Sequence, residues 1–163
     1  ATAVWLAACH PKAANATGLR PRPEDPVILL RTTPCFGTCP EFTLLIYEDG
    51  EVRYVGFRNT AIIGVRQDWL DRGALQRLIQ SFEDAGFDAL EDEYERAASD
   101  VPRSGLTFRQ GTRTKTVSRM HLEGIAPAKL VALERSVEDA VRRERWLGPE
   151  VRSNDDSDVR GWR

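Results

Sequence analysis

The segment "EFTLLIYEDGEVRYVGF", residues 41–57, constrains the fold of this chain more than any other stretch of its sequence. Two runs rich in aromatic and β-branched residues flank the dipeptide Asp49-Gly50. Both residue types tolerate the positive φ angles that a two-residue type I′ turn requires. The segment therefore predicts a β-hairpin that turns at Asp49-Gly50.

A two-residue turn also predicts how the side chains divide between the two faces of this hairpin. One face would carry Phe42, Leu44, Ile46, Val55 and Phe57. The other face would carry Leu45, Tyr47, Val52 and Tyr54. Because both faces hold apolar groups, we expect the hairpin in the middle of a sheet and not at a solvated edge.

Three further segments predict strands around this hairpin. "VILLRTT", residues 27–33, is an apolar run typical of a buried first strand. "AIIGVRQ", residues 61–67, is a candidate for another strand. "GLTFRQGTRTKTVS", residues 105–118, alternates around Gln110-Gly111 and predicts a second hairpin.

Two helices follow from the spacing of apolar residues and from signals at the helix ends. The first begins at the N-cap Asp71 and stops at Gly86, and the second is opened by Pro127. Their apolar stripes consist of Leu75, Leu78, Ile79 and Phe82 in the first helix and Leu130, Leu133, Val137, Ala140 and Val141 in the second. The order of elements predicts an α+β fold, with an antiparallel sheet built from two hairpins plus flanking strands and two helices packed against it.

Two of the three cysteines lie in "TPCFGTCPEF", residues 33–42. An extended five-residue stretch separates its end Cα atoms by about 13 Å, whereas a disulfide needs roughly 4.4–6.8 Å. The segment must therefore turn if Cys35 and Cys39 are bonded, and Gly37 permits such a turn. A structural disulfide between Cys35 and Cys39 is the favoured interpretation.

A metal or redox role for the same cysteines is the alternative hypothesis. "CFGTCP" resembles the CxxxCP motif of Sco-type copper proteins, and Cys35, Cys39 and His121 would form a soft ligand set suited to copper. Thiol-redox chemistry is a related possibility, although the spacing is not CxxC. In the Sco-type fold a helix follows the motif, whereas "EFTLLIYEDG" has the alternation of a strand.

The N-terminal segment predicts a lipid anchor. Residues 1–9, "ATAVWLAAC", are apolar and uncharged, and they resemble the end of a signal peptide. "LAAC" resembles the lipobox of bacterial lipoproteins, in which the cysteine, here Cys9, carries the lipid. His10 stands where an inner-membrane retention signal would have Asp, so the resemblance implies the outer membrane. Lipidation of Cys9 leaves Cys35 and Cys39 as a pair in an oxidising compartment.

The remaining boundaries follow from composition. Residues 10–26 are rich in Pro and Ala and predict a flexible linker, residues 27–148 a globular α+β domain, and residues 149–163 a disordered tail. With 23 Lys and Arg against 25 Asp and Glu, the chain is nearly neutral, which argues against nucleic-acid binding.

No familiar catalytic motif is present, and isolated polar groups have ordinary structural interpretations. The sequence contains no G-x-S-x-G, H-E-x-x-H or P-loop motif. The acidic run Glu91–Glu95 is interpreted as a solvated face in preference to a cation site, and His121 as a loop or half-buried residue in preference to a general base. Trp69 and Trp146 are interpreted as packing residues.

"TPCFGTCPEFTLLIYEDGEVRYVG", followed by a helix, "SDVP", a short hairpin, a long helix and "WLG", resembles the bacterial domain-of-unknown-function family 6438. The resemblance implies an envelope domain of unassigned activity and supplies no catalytic residues. We therefore expect a lipid-anchored domain that faces the periplasm, binds an unknown envelope protein or small ligand, and is not an enzyme. No cofactor is expected, with copper as the alternative.

Overall fold

The computed structural model describes residues 24–141 and Trp146. Three predictions concern residues outside this part of the chain. They are the lipidation of Cys9 at the end of the 1–9 signal segment, most of the 10–26 linker, and the 149–163 tail.

Seven strands form one sheet in the order β4-β3-β2-β1-β6-β7-β5. The strands are β1 Ile28–Thr32, β2 Glu41–Ile46, β3 Glu51–Arg58, β4 Gly64–Trp69, β5 Glu93–Tyr94, β6 Arg103–Gln110 and β7 Arg113–Met120. The helices are α1 Arg72–Asp84 and α2 Ala128–Ala140, with a 3-10 turn at Phe87–Ala89. The predicted α+β class is confirmed, and its sheet is a four-strand meander, β1 to β4, joined through β1 to the β6–β7 hairpin.

The helix ends follow the predicted signals. The Asp71 carboxylate accepts a hydrogen bond from the Ala74 N–H, as an N-cap should. Gly86 follows the last turn of α1 with φ at +61°, a left-handed conformation that glycine adopts at little cost. Pro127 is the N-cap of α2, one position before the first-turn site that was predicted.

The turn of the β2–β3 hairpin differs from the prediction, and the difference exchanges the buried and exposed faces of β3. Gly50 has a φ of +88°, but Asp49 has no positive φ, so the turn is not type I′. The Tyr47 N–H donates to the Glu51 carbonyl, which makes a three-residue loop and pairs Ile46 with Val52.

A register shift of one residue moves a whole set of side chains to the opposite face of the sheet. Val52 and Tyr54 therefore lie on the buried face with Phe42, Leu44 and Ile46, while Phe57 lies on the open face. The predicted grouping of Val55 and Phe57 with β2 was wrong for this reason. The central position of the hairpin is confirmed, because β2 and β3 both have neighbours on two sides.

Both helices contribute to a single core on one face of the sheet. Buried side chains of α1 and α2 form one cluster with the inward residues of β1, β2, β3, β6 and β7. An aromatic group is central to it, with the rings of Phe82 and Phe108 stacked at 4.7 Å and those of Phe82 and Phe87 at 5.2 Å. Trp146 is also buried, as predicted.

The outermost strand is the exception to the predicted antiparallel sheet. β5, only two residues long, pairs in parallel with β7, so the sheet is mixed. The chain returns from α1 along the free edge of β7, where the Ser118 N–H donates to the Asp92 carbonyl at 2.8 Å. This contact joins residues distant in sequence, which is why no local pattern predicts it.

Candidate functional site

The turn between β1 and β2 is closed by a disulfide bond between Cys35 and Cys39, with the Cα atoms 5.5 Å apart. The predicted pairing is therefore present in the structure. Inside the ring, the Gly37 N–H donates to the Cys35 carbonyl at 2.9 Å, which places Phe36 at the apex of a tight turn.

Asn59, the first residue of the neighbouring β3–β4 loop, holds this turn from the side. Its side-chain amide donates to the Gly37 carbonyl at 3.1 Å and to the Cys39 carbonyl at 3.0 Å. Asn59 has a φ of +55°, a left-handed conformation that Asn tolerates better than most residues. Sequence analysis missed Asn59, although an Asn directly after a strand is a recognised turn signal.

Thr32 holds the turn from the β1 side. Its hydroxyl donates to the Pro40 carbonyl at 2.9 Å and accepts from the Phe42 N–H at 3.0 Å. These bonds span the irregularity in the β2–β3 ladder between Glu41 and Phe42. The turn backbone is thus restrained by a covalent bond and by side chains from two strands.

Phe36 projects from this restrained backbone into solvent, with 91% of its surface exposed. A fully exposed aromatic ring gains nothing from the hydrophobic core. Aromatic side chains on rigid turns are instead common anchors in binding interfaces, because little conformational freedom is lost on binding.

The β3–β4 loop that carries Asn59 is itself attached to the core. The Tyr54 hydroxyl donates to the Ile62 carbonyl at 3.2 Å, and the Ile62 N–H donates to the Trp146 carbonyl at 3.0 Å. The rings of Tyr54 and Trp146 stack at 5.0 Å, and burial raises the pKa of Tyr54. Gly56 is required beneath the loop, since an added Cβ would lie 2.2 Å from the Ile62 carbonyl oxygen.

A buried ion pair joins α2 to the same end of the sheet. The Arg119 guanidinium lies 2.8 Å from the Glu134 carboxylate, and the Ser104 hydroxyl also hydrogen-bonds that carboxylate. All three residues are buried. Sequence analysis missed this group, although Glu134 lies four residues after Leu130 on the apolar stripe of α2, where a charge needs a partner.

His121 follows β7 at this end of the sheet and is half-buried, in agreement with the structural interpretation. Its backbone N–H donates to the Pro102 carbonyl, and the Nε2 atom of its ring has no hydrogen-bond partner among the described residues. Burial, reinforced by the charge of Arg119, lowers the pKa of His121 to about 3. The imidazole is therefore neutral at physiological pH.

The copper alternative assigned Cys35, Cys39 and His121 as ligands. Cys35 and Cys39 are bonded to each other, and the part of the chain that the structure describes holds no group of three or more His, Cys, Asp or Glu residues suited to a metal. His121 is thus not brought together with the two cysteines as a ligand set.

The acidic run 91–95 pairs with basic groups of the sheet. Asp92 contacts the Lys115 ammonium, and Glu95 accepts from the Arg103 guanidinium at 3.1 Å. Glu93 and Tyr94 form β5. The run is thus an edge strand with ion pairs, and not only a solvated face.

Trp69 differs from the prediction for this residue. It lies at the end of β4 with 60% of its surface exposed, so it is not a packing residue.

No helix among the described residues is both long and apolar enough to span a membrane.

These features define a small α+β domain whose first two strands are joined by a cross-linked turn. Over residues 26–141 the sequence matches the family described as Domain of unknown function (DUF6438), and the chain belongs to this family. No curated protein matches the sequence.

Proposed function

We propose that this protein is a lipid-anchored domain of a bacterial cell envelope that binds an envelope protein or a small ligand and performs no catalysis. The observation that carries the proposal is the disulfide-closed turn, which holds Phe36 in solvent on a restrained backbone. A disulfide of this kind is typical of proteins that live in an oxidising compartment such as the periplasm.

The anchor is proposed from the "LAAC" segment, with Cys9 as the lipidated residue and the outer membrane as the destination. The path of β1 supports a binding role for the turn. The linker enters the sheet at Ile28, and the chain leaves β1 at Thr32 directly into the turn. The turn therefore lies at the opposite end of β1 from Ile28, and an anchor that precedes Ile28 in the chain is compatible with an accessible turn.

The neighbourhood of the turn supports binding more than catalysis. The Asn59 amide and the Thr32 hydroxyl, which hold the turn, are both occupied with backbone atoms. Ser104 is buried against Glu134 and inaccessible to a substrate.

Detergent partitioning tests the anchor. Expressed from its natural gene in a Gram-negative host, the protein should enter the detergent phase and carry a lipid mass on Cys9. Cys9→Ser should remain in the aqueous phase, whereas Cys35→Ser should partition like the wild type. Wild-type protein recovered without lipid and with residues 1–8 still attached would contradict the anchor.

Metal analysis and thiol titration of protein purified from its own envelope test the binding role against the copper and redox alternatives. We expect no stoichiometric copper and a Cys35–Cys39 bond that stays oxidised at envelope redox poise. A copper content of one per chain, or two titratable thiols in untreated protein, would contradict the proposed binding role and favour a metal or redox function.

A further inference from the structure

Three of the exposed large hydrophobic side chains belong to segments at the end of the sheet that carries the disulfide turn, and the fourth, Trp69, lies at the opposite end. Four large hydrophobic side chains of the described residues are exposed: Phe36 (91%), Phe57 (51%), Ile63 (60%) and Trp69 (60%). Phe57 and Ile63 flank Asn59 in the chain, and Asn59 is bonded to the turn that carries Phe36. We name Phe36, Phe57 and Ile63 the distal patch.

The backbone beneath the distal patch is restrained at each point. The disulfide and Asn59 hold the Phe36 turn, β3 carries Phe57, and the hydrogen bonds of Ile62 hold the chain next to Ile63. The patch therefore needs little ordering when it binds, which removes part of the usual cost of association.

Charges at the rim of the patch indicate what can cover it. Arg58 follows Phe57 directly, and its guanidinium lies 3.7 Å from the carboxylate of Glu41, the residue paired with it on β2. The rim thus presents one cation and one anion side by side. An anionic lipid surface attracts an excess of cations, which this balanced pair does not supply.

A second copy of the same chain matches this pattern. In a two-fold interface each residue faces the reverse arrangement on its partner, so an adjacent Arg and Glu are complementary to themselves. We propose that two copies associate through their distal patches, with Phe36 of each copy against the apolar patch of the other and Arg58 of each opposite Glu41 of the other. This association does not depend on the proposed anchor.

Sedimentation of the full chain tests the association. All samples carry Cys9→Ser, so that neither lipid nor a free N-terminal thiol contributes. We expect a reversible dimer whose fraction rises with concentration. Phe36→Ser should weaken the dimer by about thirtyfold, as expected for a central anchor, whereas Trp69→Ser, at the far end of β4, should not. A protein that is monomeric at every concentration, or equal dimerisation of the two variants, would overturn the proposal.

A charge exchange tests the geometry of the interface. Arg58→Glu and Glu41→Arg should each weaken self-association by at least about tenfold, because each places like charges opposite one another. An equimolar mixture should restore a heterodimer, since both cross-chain pairs are then attractive. The pair within each chain stays broken in both variants, so recovery can arise only between chains. A mixture that remains as weak as its components would contradict the interface.

Vesicle binding separates the failure of this proposal from that of the proposed function. If the Cys9→Ser protein is monomeric but sediments with vesicles of phosphatidylglycerol and phosphatidylcholine, and Phe36→Ser does not, the distal patch binds lipid and the dimer is wrong. Such a result would leave the lipidation of Cys9 to be decided by detergent partitioning.

Discussion

The core face of the sheet and the disulfide turn are held by different forces. Burial of apolar side chains holds the core face, where Phe82 of α1 packs against Phe87 and Phe108 in a cluster to which both helices contribute. No residue of the turn between 33 and 40 is fully buried, and a covalent bond and side-chain hydrogen bonds fix its backbone. A surface feature can therefore be rigid without contributing to the core.

The largest expected effect comes from exchanging one aromatic residue in each region for alanine. Phe82→Ala should lower the free energy of unfolding by about 3–5 kcal/mol, because it opens a cavity in a fully buried cluster. Phe36→Ala should change it by less than about 0.5 kcal/mol, since its ring is in solvent. Denaturant unfolding measures both, and similar losses would show that the two regions are not held differently.

The buried ion pair should give the next effect. Glu134→Ala leaves the Arg119 guanidinium buried and unpaired, so we expect a loss of about 3 kcal/mol. The double variant Arg119→Met/Glu134→Leu removes both charges and should recover most of that loss. If the double variant is as unstable as the single one, the loss arises from packing and not from the unpaired charge.

The disulfide should contribute less, because the ring it closes is short. Cys35→Ser should cost about 2 kcal/mol, and the folded domain should survive. Reductant should destabilise the wild type by the same amount and leave Cys35→Ser unchanged, as thermal unfolding by circular dichroism would measure. Cys9→Ser is the matched control and should melt like the wild type. A wild type that melts identically with and without reductant would contradict a stabilising bridge.

The smallest effect is a pH dependence from His121. Its pKa falls from the usual 6.5 to about 3 on folding, so below pH 6.5 the unfolded chain binds a proton that the folded chain does not. The contribution of the neutral His121 to the free energy of unfolding is therefore fully present above pH 6.5, and it declines as the pH falls towards 3. Between pH 7.5 and 5.5 the wild type should lose about 1.4 kcal/mol relative to His121→Gln. Parallel stability curves for the two proteins would mean that His121 titrates normally.

Much of the candidate site was predictable, because its cysteines are close in sequence. A ring of five residues with Gly37 can close by local turning alone, and Cys35 and Cys39 were correctly paired. Asn59 was not predictable in the same way, since its hydrogen bonds join the β3–β4 loop to the turn between β1 and β2, about 20 residues earlier in the chain. The buried pair of Arg119 and Glu134 likewise joins a strand to a helix.

Features that depend on neighbouring residues can be predicted from the amino-acid sequence alone. Asp71 and Gly86 mark the ends of α1 because a cap acts within one turn of the helix. The strands of both hairpins follow from alternation around Asp49-Gly50 and Gln110-Gly111. The α+β class follows from the order of these elements.

The buried face of β3, in contrast, depends on contacts between distant parts of the chain. The Asp49-Gly50 signal fits a two-residue or a three-residue loop, and burial of Tyr54 beneath the β3–β4 loop and Trp146 requires the longer one. The parallel pairing of β5 was decided in the same way, at an edge reached only after α1 has packed. Local interactions leave such alternatives close in free energy. The contacts that favour one of them form between distant parts of the chain.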